Sequence, residues 1–106
     1  MPWILGPAAG ILLAMLTPVA AAADDALIRQ LILLNLYDRL IVECDVGAGS
    51  EYQKFLRDAL VLAEGYAEPH DVTGAKAAAG RMHLDCAPDS LHMRRMLRAM
   101  RQFSEN

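Results

Sequence analysis

The chain has 106 residues, 10 Lys and Arg against 13 Asp and Glu, and a formal net charge of −3. That length suits one small domain, and the weak acidity excludes the basic excess that nucleic-acid binders carry. Two cysteines give neither a zinc-site spacing nor a C-x-x-C redox pair.

Residues 1–23 read "MPWILGPAAGILLAMLTPVAAAA", with no charged side chain before Asp24. An apolar centre, "ILLAML", is followed by Pro18 and a run of alanines. That order is the signature of a secretory signal peptide, with cleavage expected after Ala23. The rival is a retained anchor, but residues 3–23 are barely long enough to span a bilayer, and Gly6, Pro7, Gly10 and Pro18 interrupt them. The expected mature protein is a single helical domain over residues 24–106, in the periplasm or secreted.

Export sets the reading of the cysteines. An isolated pair in an oxidising compartment, Cys44 and Cys86, predicts one disulfide. Closing a loop of about 43 residues contributes roughly 4 kcal/mol in the chain-entropy model. Two free thiols serving redox or metal chemistry are the alternative.

Four helical segments follow, so the fold class is all-α: a small bundle of about four helices with one disulfide. The first is expected to be capped by Asp24 or Asp25 and to run to about Cys44. It is apolar on two sides: Leu27, Leu31, Leu34, Tyr37, Ile41 and Cys44 on one, Ile32, Leu33, Leu36 and Leu40 among polar positions. A helix greasy all round is buried on both sides or carries a self-association surface. "DVGAGS" breaks the chain, with Ser50 as a cap. The second helix, residues 51–68, has an inner stripe of Tyr52, Phe55, Leu56, Ala59, Leu62, Ala63 and Tyr66, and Pro69 ends it. The third is expected from near Thr73 to Cys86, with Ala75, Ala79, Met82 and Cys86 on one face, so that both sulfurs point to a common core. Pro88, Asp89 and Ser90 start the last helix.

In that helix, "HMRRMLRAMRQF", Met93, Met96, Leu97 and Met100 form one arc, with Phe103 at its edge. Arg94, Arg95, Arg98 and Arg101 form the other. Thioether, imidazole and thiol from Met96, His92 and Cys86 would make a soft-metal ligand set. Flexible methionines also fill core gaps without any metal, and a Cys44–Cys86 disulfide removes the thiol. Core packing is the expectation here, with copper binding as the alternative. His83 and Cys86, three residues apart, could share a helical face as ligands; His70 stands alone in a turn. Asp24, Asp25 and Asp89 read as caps rather than acid/base groups. With no G-x-S-x-G, phosphate loop or haem motif, no enzyme, no cofactor and no protein-held metal are expected.

Charge is uneven. Asp24 to Asp89 holds twelve acids against six Lys and Arg, while the segment from Ser90 holds four arginines against Glu105 alone. Such asymmetry favours a charged partner surface or internal pairing. The arginine arc is accordingly read as a docking surface for an acidic protein or an anionic membrane.

The layout over residues 44–103 resembles two families. Cys44, Cys86 and "MRRMLRAMRQF" occupy places similar to those in the acid-stress periplasmic chaperones of the HdeA type. "CAPDSLHMRRMLRAM" and "EGYAEPHD" resemble segments of the immunity proteins that neutralise secreted cell-wall amidases. Either resemblance implies an exported helical domain that binds another protein; neither assigns a role to an individual residue. The expected function is a non-enzymatic protein-binding module, acting through Ile32, Leu36 and Leu40 and through Arg94, Arg95, Arg98 and Arg101. The partner is another protein, or a second copy in a homodimer, with membrane contact as a further option. A soft-metal carrier using Met and His and a membrane-associated accessory subunit are the competing readings.

Overall fold

A computed structural model describes residues 16–106, with side chains from Asp25 onward. Within that range lie four helices and no strand. They are α1 (Leu16–Glu43), α2 (Glu51–Glu64), α3 (Pro69–Arg81) and α4 (Leu91–Glu105). The expected signal peptide falls largely on residues 1–15, outside the described range.

Helix α1 is the axis of the bundle: α2, α3 and α4 all pack against it. This explains its two apolar sides. Leu31, Leu36, Leu40 and Ile41 are each at most 1% exposed. Consecutive residues turn about 100° around a helix, and α1 uses that turn: Asp38 pairs with Arg57 of α2, while Arg39 reaches the end of α3. The main core joins Leu34, Leu36, Leu40 and Ile41 of α1 to Tyr52 and Leu56 of α2, Ala79 of α3, and Met93 and Met96 of α4. Asp24 and Asp25 are not its caps, because α1 begins at Leu16 and both lie inside it.

The α1–α2 connection needs left-handed backbone, and Gly47 (φ 76°) and Gly49 (φ 79°) supply it. Ser50 caps α2 as expected, its hydroxyl accepting from the Gln53 amide. The Gln53 side-chain oxygen in turn accepts from the Gly49 amide at 2.7 Å. Two free donors are thus satisfied by a variant of the capping box.

Helix α2 stops at Glu64, short of the expected residue 68, and its stripe is only partly covered. Tyr52 and Leu56 are buried, whereas Phe55, Leu62 and Tyr66 are exposed. Phe55 leans on Phe103 at a ring-centroid distance of 5.1 Å. Leu62 is exposed on α2, and Tyr66 lies in the turn beyond its end.

Pro69 does not end a helix but begins one. It occupies the first position of α3, where its missing N–H and fixed φ cost nothing. The helix therefore starts four residues before Thr73. It also ends five residues before Cys86, at Arg81, where the Arg39 guanidinium donates to the carbonyls of Ala79 (2.7 Å) and Met82 (3.0 Å). Carbonyls left free at a helix end need a donor; here it comes from α1.

Residues 82–90 form an irregular strap between α3 and α4. Cys86 sits on that strap rather than on a helix, so His83 and Cys86 do not share a helical face. The disulfide Cys44–Cys86 forms, with Cα atoms 5.5 Å apart. Cys86 nevertheless lies on the surface, and only Cys44 is partly buried. Proximity, not a shared interior, joins the two. Ser90, not Asp89, holds the N-cap position of α4, and its hydroxyl donates to the Asp85 carbonyl instead of capping.

Candidate interaction surface

Every side chain of the arginine arc is exposed, while Met93 and Met96, behind it, are the most deeply buried residues of α4. Met100 is partly buried under the α1–α2 turn, where a Cβ on Gly47 would fall 2.6 Å from its Cε. The methionines are packing residues, as expected. Cys86 is bound to Cys44, so it offers no free thiolate beside them.

Among the described residues no acid neutralises the arginines. The ion pairs among the described residues are Arg39–Glu43 and Arg57–Asp38, with His70 3.2 Å from Asp71, and none of these contacts involves Arg94, Arg95, Arg98 or Arg101. Internal pairing, one of the two readings of the uneven charge, is therefore not seen among the described residues. Burial pushes the Tyr37 hydroxyl's pKa up, and the Arg95 charge opposes that shift.

At about 100° per residue, Leu91, Arg94, Arg98 and Arg101 fall within an arc of about 80°. Leu91 is 47% exposed and stands at the head of the row. The sequence reading missed it, although its spacing of seven from Arg98 puts it on the same face. Glu105 closes the row at the other end, within the same arc.

Beside Leu91 lies a cleft of about 220 Å³ between α1 and the strap. Leu36 and Leu40 form its floor, and His83, Asp85 and His92 stand at its rim. The Nδ1 atom of His92 is buried without a hydrogen-bond partner. Leu36 and Leu40 are each 1% exposed and Ile32 is partly buried against the core. In the folded chain these residues do not make the apolar surface expected of α1; Leu36 and Leu40 are instead the base of this cleft. The arginines and the α1 leucines, far apart in sequence, thus meet around Leu91.

Among the described residues no group of three or more His, Cys, Asp or Glu side chains is arranged to hold a metal. Nor is any described helix long and apolar enough to cross a membrane. Fold and surface together define a small disulfide-linked all-α bundle with an arginine face that makes no ion pair among the described residues. No protein-family model, curated protein or solved structure matches the chain.

Proposed function

We propose that this chain is an exported, non-enzymatic protein-binding module that engages its partner in the folded state through α4. The single observation that carries the reading is the open arginine arc: four exposed guanidinium groups on one helix, three of them in a row, none in an ion pair among the described residues. Guanidinium groups present planar, forked donors suited to carboxylates, and charge of one sign on one face steers an oppositely charged partner. The disulfide fits an oxidising compartment.

An inhibitor-like or immunity-like role needs a surface that is ready at neutral pH, and the arginine row is ready. A chaperone role needs Ile32, Leu36 and Leu40 released, and the folded chain keeps Leu36 and Leu40 inside. The geometry therefore favours the first.

Site-specific photo-cross-linking tests the proposal. A cross-linker at Gln102, exposed beside the arginine row, should trap a discrete adduct at neutral pH, and Arg98→Glu should abolish it. The same cross-linker at Lys76, exposed on α3, should trap none. Equal adducts from both positions, no adduct at all, or adducts formed only after acid opening would overturn the reading.

A further inference from the structure

We infer that the partner presents an acidic amphipathic helix, whose carboxylates lie along Arg94, Arg98 and Arg101 and whose leading apolar side chain enters the cleft beside Leu91. This rests on the reading of the chain as a protein-binding module and names the chemistry of what it binds.

Two features point to a helix. Arg94, Arg98 and Arg101 are spaced four and three residues apart, so their stems form a nearly straight row about 10 Å long. Carboxylates at i, i+4 and i+7 of a second helix repeat that spacing, as charges flanking the seam of a coiled coil do. An extended strand, at about 3.3 Å per residue with alternating faces, does not match it. The row also has distinct ends, with exposed Leu91 and the Leu36–Leu40 cleft at one and Glu105 at the other. Such a row sets the direction as well as the register of the incoming helix.

The same features separate this occupant from two others. A second copy docking α4 on α4 sets arginine against arginine along most of the row, and like charges held together cost several kcal/mol in an interface. A membrane surface would use the positive charge, but an interfacial helix must bury its own apolar face in lipid. Met93, Met96 and Leu97 of α4 already pack against the core. Only Leu91 is both apolar and outward on this helix.

The test uses the whole disulfide-bonded chain and a synthetic helical peptide with glutamates at i, i+4 and i+7 and a leucine one turn beyond the row. Its controls are a peptide of identical composition with the glutamates spread around the helix, and vesicles rich in phosphatidylserine. The patterned peptide should bind at least about tenfold more tightly than the scrambled one, since one misplaced charge pair is worth that much. Arg98→Glu should weaken binding about 30-fold or more, Arg98→Lys less, and Leu91→Ala about 3- to 10-fold. All three side chains are exposed, and unchanged circular dichroism will show that the fold survives. Equal affinity for both peptides, or indifference to Arg98→Glu, overturns the inference. Vesicles binding more tightly than the patterned peptide, with the same ranking of variants, would assign the row to lipid and overturn it also. If no peptide binds while Gln102 still cross-links a partner, the acidic-helix chemistry fails and the module stands. If Gln102 traps nothing, the module itself fails.

Discussion

Helices α3 and α4 are of similar length and both lie against α1, yet they are fastened by different means. Helix α3 approaches through small side chains, Ala75 and Ala79, each at most 2% exposed. Its end is held by the Arg39 guanidinium on two carbonyls, and the strap that follows is tied covalently at Cys86. Helix α4, which begins five residues beyond Cys86, has no side-chain hydrogen bond to α1 among the described residues. It is held by Met93, Met96 and their apolar neighbours, and its Ser90 makes no capping bond. The difference teaches that one bundle can combine a helix fixed by polar and covalent geometry with a helix fixed by buried volume alone. The second kind should be more sensitive to shape.

The sharpest way to break that comparison is to empty the volume. Met96→Ala should cost about 2 to 5 kcal/mol, as deleting a buried methionine side chain does. Met96→Leu, which nearly conserves volume, should cost less than about 1.5 kcal/mol. Thermal unfolding of both variants measures the gap. Equal losses would mean that the thioether itself matters, as it would in a soft-metal site, and a Cu(I) titration of oxidised protein would then be decisive.

Removing the covalent fastener comes next. Replacing Cys44 and Cys86 together by serine should destabilise the chain by up to about 4 kcal/mol, the chain-entropy value for a loop of this size. Hydrogen exchange should show α3 and the strap losing more protection than α4. The opposite order would show that the tie serves α4 after all.

Close approach is tested by Ala79→Leu. Forcing that bulk between α1 and α3 should cost about 1 to 3 kcal/mol. A neutral result in denaturant unfolding would mean that α3 can slide away from α1, contrary to a helix held at its end.

The smallest effect concerns the Arg39–Glu43 pair beneath that end. The hydrogen bond from Arg39 holds the Glu43 carboxyl below its ordinary pKa; desolvation opposes that shift and the Arg39 charge adds to it. A depressed folded-state pKa gives stability that is present above the unfolded value and lost as pH falls through the folded one. Glu43→Gln should therefore slightly flatten the acid limb of the stability curve and leave the alkaline limb unchanged. Arg39→Met should do the same and, in addition, speed amide exchange in the last turn of α3.

Much of this architecture was legible in the sequence, for identifiable reasons. The two faces of α4 were visible because period and charge agree at every position from Met93 to Arg101. The disulfide followed from an isolated cysteine pair. What escaped the sequence depends on partners far along the chain. Nothing near Arg81 announces the helix end that Arg39 fixes from α1. Periodicity showed that Phe55, Leu62 and Tyr66 share a stripe with Tyr52 and Leu56, but not how far a covering helix would extend. The same blindness made Leu36 and Leu40 look like a free surface, when α4 and the strap close over them. Leu91 was recoverable from its spacing to Arg98; only the cleft beside it gives that spacing meaning.

The position of the cross-link has a mechanical consequence. Cys44 and Cys86 are 42 positions apart and enclose α2 and α3 in a covalent ring, whereas α4 begins beyond Cys86 and hangs from the ring as a tail. A load applied to α4 would peel that helix away while the ring stays closed, so rupture would stop at the sulfur bridge. In force spectroscopy with the load applied between α4 and the closed loop of α2 and α3, the oxidised chain should therefore release the length of α4 and then stiffen, whereas the reduced chain should continue to unravel. The helix that carries the arginines is thus the one that can yield under strain and re-form.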